Sequence, residues 1–212
     1  MRQYSAALAV VCLALMASAP AEANLLTNAS FEDQQYSTGF YSYANGVEAP
    51  WTNSVGGGVL NASGGSAWYF GSGPQGFDGD QYAFLQSYGT LSQTFTSGSG
   101  LFDLSFLDAG RSGFGPYNGD QTFDVLIDNV VVGSFSTVSN SNFAMESILN
   151  IVLTSGVHTL EFLGTDLNGG DETAFIDNVI RTQVPEPSTV ALLGTFLLGA
   201  WGLFRLRKSH VS

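Results

Sequence analysis

The chain predicts an all-β fold, an antiparallel β-sandwich or jelly roll, on three observations. Apolar residues alternate with polar ones in short bursts set apart by Gly, Asn, Asp and Ser; helical periodicity is nearly absent; and the bursts follow one another without the βαβ rhythm of a parallel sheet. Turn and core material are both plentiful, with 26 Gly among 212 residues and 44% apolar content. Between its ends the chain has roughly 160 residues, enough for one domain that buries ~70% of its unfolded surface.

Taken in order, strand patterns fall at 66–70, 82–86, 91–95, 101–107, 122–127, 130–135, 148–153, 157–163 and 173–181. The stretch 142–149 reads equally as a short helix or a strand, because it lacks a convincing C-terminal stop. I-D-N-V occurs twice, at 127–130 and 176–179. In the first copy, apolar residues alternate on both sides of Asp128 and Asn129, a pair suited to the positive φ angles of a two-residue hairpin turn. The second copy has no such flanking symmetry and reads as the last strand, so Asp177 needs another explanation.

The two ends read as address labels. Residues 1–23 form a secretory signal: Arg2 is the positive start, 6–17 the apolar stretch, and Ala21-Glu22-Ala23 a small-x-small cleavage site. The domain then occupies 24–183. Residues 184–212 begin V-P-E-P-S-T and continue with an uncharged run, 190–204, before Arg205, Arg207 and Lys208. As a helix that run is ~22 Å long, and Ser188, Thr189 and snorkelling basic side chains extend it toward a span of about 189–204. The basic end predicts a cytoplasmic tail, with the domain outside.

Pro185, Glu186 and Pro187, the apolar stretch and the basic end, in that order, resemble the PEP-CTERM sorting signal of Gram-negative bacteria. The resemblance implies recognition by an exosortase, a membrane transpeptidase. It also implies removal of the tail and delivery to the envelope, cell surface or extracellular matrix, with membrane anchoring through the C-terminal helix before processing. The two prolines stiffen the chain and remove N–H donors, an extended shape suited to a protease cleft. An ordinary single-span anchor with a Pro-rich stalk is the plainer alternative.

Charge excludes several classes of partner. Segment 24–184 holds 16 acidic residues against Arg111 and Arg181, a formal −14. Nucleic-acid binding needs clustered Lys and Arg, so nucleic acid is not an expected partner. Anionic membrane surfaces are disfavoured in the same way. The single cysteine, Cys12, lies in the leader, which leaves the domain without a disulfide or a thiolate metal site.

Within 24–182, N-L-L-T-N-A-S-F-E (24–32), Trp51, D-G-D-Q-Y-A-F-L-Q (78–86), L-S-Q-T-F (91–95) and A-F-I-D-N-V (174–179) together resemble the galactose-binding-like jelly rolls, which include exported carbohydrate-binding modules. The resemblance implies a structural calcium ion where the F-E turn meets an Asp of the final strand, with Glu32 and Asp177 as carboxylate ligands and backbone carbonyls completing the shell. Calcium accepts such a mixture of oxygens. The alternative is that both residues cap turns or face solvent. D-L-N-G-G-D-E (166–172) fails the EF-hand spacing and reads as a solvated turn. The Gly-rich stretch 111–120 reads as a long connection, with Arg111 expected in an ion pair.

Sugar recognition in such folds stacks aromatic faces on C–H surfaces. Tyr36, Phe40, Tyr41 and Tyr43 form one candidate platform, and Trp68-Tyr69-Phe70 with Phe77 another; Tyr41 and Trp68 are the individual candidates. Most aromatics must nevertheless fill the core. Catalysis has thinner support: there is no G-x-S-x-G elbow, and His158 shares a strand face with Leu160 and Phe162, which reads as structural. The expected function is therefore a non-enzymatic, exported β-sandwich that binds or organises extracellular polysaccharide. A structural or adhesion matrix protein without glycan binding is the rival, and a polysaccharide-acting enzyme comes third.

Overall fold

The computed structural model describes residues 26–33, 35–43, 50–54, 56–62, 73–111, 119–166 and 172–184. The leader, the sorting tail with Pro185, Glu186 and Pro187, the predicted strand at 66–70 and Trp68 lie outside the described residues. Among the described residues no helix is long and apolar enough to cross a membrane.

Among the described residues eleven strands form two antiparallel sheets, which is the predicted sandwich. They are β1 (Tyr41–Ser42), β2 (Trp51–Asn53), β3 (Gly57–Asn61), β4 (Gln81–Gln86), β5 (Thr90–Ser97), β6 (Gly100–Gly110), β7 (Gln121–Ile127), β8 (Val130–Thr137), β9 (Ala144–Leu153), β10 (Gly156–Gly164) and β11 (Thr173–Gln183). One sheet has the order β1-β3-β4-β11-β6-β9, the other β2-β5-β10-β7-β8. Strands β4 to β8, β10 and β11 extend the predicted segments by a few residues each. The ambiguous stretch 142–149 resolves as strand β9, because β6 offers it a ladder from Asp108 to Gly100. Strands β1, β2 and β3 went unpredicted. They are short or glycine-rich, and every residue of β3 is buried, so no alternation marks it.

Burial follows the period-two rule. Phe102, Leu104, Phe106, Phe123, Val125, Leu160, Phe162 and Ile176 meet between the sheets, with Phe106 edge-on to Phe162 at 5.2 Å. A second cluster of Leu60, Ala62, Tyr82, Phe84, Ala109 and Phe175 lies on the other, outer face of the six-stranded sheet. Residues 73–77 cross part of that face: the Phe143 N–H donates to the Gln75 carbonyl at 2.9 Å, and Phe77 and Phe143 both pack on Tyr82.

The two I-D-N-V copies do different work. Asp128 and Asn129 take φ of 51° and 66°, the predicted hairpin turn between β7 and β8. In the second copy Asn178 takes φ of 46° at a bulge where the β11–β6 register shifts. The bulge turns the Val179 N–H outward to the Ala29 carbonyl at 2.9 Å, tying the last strand to the first loop.

His158 is not an isolated strand histidine. Its Nδ1 lies 2.7 Å from Asp128 Oδ2 and its Nε2 2.9 Å from the Thr154 carbonyl, while Asp128 Oδ1 accepts the Thr159 N–H at 2.8 Å. The Asp128 bond, followed by that to Thr154, raises the imidazole above its ordinary value, and the same pair lowers Asp128. A raised histidine stabilises the fold below its unfolded pKa, near 6.5, and that contribution is lost as pH rises through the folded value; the lowered Asp128 contribution is lost in acid. Asp128→Asn is therefore expected to keep the turn, which suits Asn, yet lower the melting temperature more at pH 6 than at pH 9. Equal losses at both values would remove the charged pair from the account.

Candidate functional site

Two features of the six-stranded sheet's outer face bring candidate residues together. The first is the turn before β4. Glu32 Oε1 accepts the amide hydrogens of Asp80 (2.8 Å) and Gln81 (2.6 Å), and its Oε2 accepts from Gln35 Nε2 at 2.8 Å. Asp177, fully buried, accepts the Asp78 N–H at Oδ2 (2.6 Å) and the Asn178 N–H at Oδ1 (2.7 Å). Glu32 and Asp177 thus close on one turn from opposite ends of the chain, each accepting its backbone amides as a turn cap. Gly79 takes φ of 71°, and a Cβ there would collide with the Glu32 carboxylate. Gln81 completes the clasp, with its Nε2 donating to the Phe31 carbonyl at 2.7 Å.

Burial pushes the Asp177 carboxyl up to about 7, with the negative charges of Asp78 and Glu32 adding to the rise and the two amide bonds opposing it. Each Asp177 oxygen accepts one amide hydrogen in these bonds, so each keeps a lone-pair direction for a second partner. An all-oxygen set next to a buried carboxylate suits a hard cation. Among the described residues no three His, Cys, Asp or Glu side chains are grouped to hold a metal, so a cation here would draw on backbone carbonyls as well.

The second feature is aromatic. Tyr41 pairs with Leu60 across β1 and β3, which puts it on the outer face above the second cluster. Tyr43 packs edge-on against Phe84 at 5.2 Å and against Tyr41 at 5.8 Å. Its hydroxyl donates to Gln86 Oε1 at 2.8 Å, and Gln86 Nε2 donates to Thr173 Oγ1 at 3.1 Å, so the ring is held by a buried polar relay. Tyr41 and Tyr43 remain 42% and 40% exposed, a stable pair of rings facing solvent. Gly58 makes room for this arrangement, because a Cβ would strike both the Ser42 carbonyl and the Phe84 ring. Tyr36 instead packs against the inner core and carries Phe40 stacked on it at 5.3 Å. The sequence grouped all four rings; the alternation at β1 sorts them, and the relay through Gln86 and Thr173 carries no sequence signature.

At the sheet end beyond Thr173, the first residue of the expected solvated turn, Asp166, is buried, while 167–171 lie outside the described residues. Glu172 is raised to about 7 by its hydrogen bond with Asp166, then by burial and the nearby charges of Asp166 and Asp120. Just past the end of β10 the Thr165 N–H donates to the Thr122 carbonyl at 2.8 Å, which holds the chain against β7 as it enters the buried Asp166.

No protein-family model matches the chain, and no curated protein matches its sequence. Solved structures do match the fold. The carbohydrate-binding module TmCBM61, solved in complex with β-1,4-galactotriose, is similar at 14% identity and a TM-score of 0.52, over 77% of this chain and 100% of that one. A Stig cyclase, Fisc from Fischerella sp. TAU, solved with an indole ligand, is similar at 18% identity and a TM-score of 0.58, over 79% of this chain and 100% of that one. A module CBM36, solved with calcium and xylotriose, matches at 18% identity over 48% of this chain and 77% of that one; its TM-score of 0.37 gives it no weight in the argument. At these identities the likeness is one of fold, and that fold is shared by sugar-binding modules and by enzymes.

Proposed function

We propose that the protein is an exported, non-enzymatic carbohydrate-binding β-sandwich. The observation that carries this reading is the pair Tyr41 and Tyr43, two exposed rings fixed on an apolar sheet face by the Gln86–Thr173 relay. Solvated aromatic area backed by a buried cluster is where a pyranose can stack its C–H face with little ordering cost. A fold shared with a galactotriose-binding module supports the same reading.

Binding of the full chain to a glycan array is the test. Saturable binding is expected, weakened roughly 10-fold or more by Tyr41→Ala or Tyr43→Ala, as for loss of an aromatic anchor. Gly58→Ala should weaken it too, by displacing Phe84 and the Ser42 backbone under the platform. Binding that survives all three changes would move the site elsewhere.

Calcium belongs to this proposal as a structural ion. Glu32 and Asp177, with carbonyls of the first loop, would hold it, and when bound it would neutralise the buried carboxylate charge. The Asp78 and Asp80 amides hold the two carboxylates in position, which supports this reading. Sorting by an exosortase at Pro185, Glu186 and Pro187, followed by release to the cell surface or matrix, is proposed on the sequence pattern. Mass spectrometry of the mature protein should then find a C-terminus close to Pro187; an intact end at Ser212 would mean permanent anchoring.

A further inference from the structure

We infer that the end of the sandwich from which the chain leaves at Val184 is a membrane-facing rim, seated shallowly on zwitterionic phospholipid; this rests on reading 190–204 as a membrane span. Two turns cross between the sheets at this end, one from β5 to β6 and one from β9 to β10. The register sets them side by side, with Gly100 opposite Leu153 and Gly156 opposite Ser97. Neither turn carries a charge: the segments read T-S-G-S-G-L (96–101) and V-L-T-S-G-V (152–157). Leu101 and Val152, paired on the outer face of the six-stranded sheet, are 38% and 76% exposed. Val157, on the outer face of the other sheet, is 71% exposed, so apolar groups flank the end on both sides. The rim is also firm. The Arg181 guanidinium lies between Phe95 and Phe102 and donates to Ser97 Oγ at 3.1 Å, and that hydroxyl donates to the Gly98 carbonyl at 2.8 Å. A turn held from within needs little ordering when it meets a surface.

The route of the chain says what that surface is. Strand β11 runs toward this end, pairing Gln183 with Phe102, and the Val184 N–H then donates to the Leu101 carbonyl at 2.8 Å. The uncharged run begins at Val190, and the chain from Val184 to Val190 reaches at most ~22 Å when fully extended. With the run in the bilayer, the rim is held within that distance of the hydrocarbon. The turn at Tyr88 lies at the other end of β5, about 27 Å further away for eight residues. Tethering keeps the rim at high local concentration against the lipid, so the modest gain from taking three aliphatic side chains out of water suffices for contact. The domain's formal −14 selects zwitterionic over anionic headgroups. The carboxylates nearest the turns are already engaged: Asp103 Oδ1 accepts the Asn150 N–H at 2.8 Å, and Asp128 is bonded to His158 and the Thr159 amide.

The test uses the full chain with Cys12→Ser, which leaves no other thiol, in phosphatidylcholine vesicles. Single cysteines are introduced as Val152→Cys, Val157→Cys and, at the far turn, Tyr88→Cys, and labelled with an environment-sensitive dye. All three positions are more than half exposed, so folding should be unaffected. The chain should float with the vesicles. Lipids brominated near the headgroup end of the acyl chain should quench about half or more of the emission at residues 152 and 157, as for groups buried at the headgroup boundary, and leave residue 88 bright. Because the contact is apolar, the quenching should persist in ~0.5 M salt. A chain that floats while 152 and 157 are quenched no more than 88 overturns the inference and leaves the span reading intact. A chain that does not float overturns both. Quenching lost in ~0.5 M salt would mean ionic attraction to headgroups and would overturn the apolar rim. Shielding of 152 and 157 that persists in detergent and grows with protein concentration would put a second copy on the rim in place of lipid, and would overturn it too.

Discussion

Trp51→Ala is expected to cost about 3–5 kcal/mol of stability, as for other fully buried aromatics, and to lower the melting temperature by roughly 10 °C or more. Trp51 is 1% exposed and lies between Phe31, 5.2 Å away, and Phe162, 6.4 Å away. Its indole N–H donates to the Asn28 carbonyl at 2.9 Å. Strand β2 carries the ring from the five-stranded sheet, and Phe31 comes from the loop that Glu32 and Ala29 fasten to the other sheet. The side chain therefore joins the first loop to the core of both sheets, and its removal leaves a void that neither sheet can close without moving. Trp51→Phe separates the contributions: it restores much of the apolar contact but not the hydrogen bond, whose net worth is about 1 kcal/mol. Equilibrium denaturation of both variants is the measurement. A loss below ~1.5 kcal/mol for Trp51→Ala would show that the first loop is not part of the cooperative core.

The second large effect is expected on calcium removal. A chelator should lower the melting temperature by several degrees, and Asp177→Ala should show no difference with and without chelator. A ligand that binds only the folded state adds RT ln(1 + [L]/Kd), about 2.7 kcal/mol at 100-fold saturation. Without the ion, Asp177 titrates near 7 when folded against 3.8 for its ordinary value, so the folded state favours its protonated form. A raised acid destabilises as pH climbs: the penalty begins near the unfolded value and is fully present above the folded one. In chelator, then, stability should increase from pH 7.5 to pH 5.5, and calcium should flatten that trend by favouring the ionised carboxylate. Identical melting curves with calcium and with chelator, at every pH, would take the ion out of the structure.

Much of the sandwich was legible because the sheets obey one simple rule. In Phe123, Val125 and Ile127, or Leu160 and Phe162, alternate residues face one core, and that alternation is written in the chain. The hairpin at Asp128 and Asn129 was legible for a similar reason, since few residue pairs accept two positive φ angles. Strand β3 was not, because Gly57, Gly58, Val59 and Leu60 are buried on both faces: one side meets the core, the other the outer cluster. The partnership of His158 with Asp128 was also hidden, being fixed by the β10–β7 register, which places the β7–β8 turn beside residues 30 positions along the chain.

From residues alone, the class of fold, the acidic and disulfide-free character of the domain and the aromatic-rich stretch that holds Tyr41 were determined, because these are local or compositional properties. Glu32 and Asp177 were singled out only by the family resemblance. Only the tertiary structure decided that Glu32 and Asp177 meet across the turn before β4, that Tyr43 packs on Tyr41 and is tied to Gln86 and Thr173, and that Asp166 and Glu172 share a hydrogen bond at the sheet end. Such pairings depend on strand order and register, and a sandwich sets those by closing two faces at once, a condition satisfied by the whole chain together and by no segment on its own.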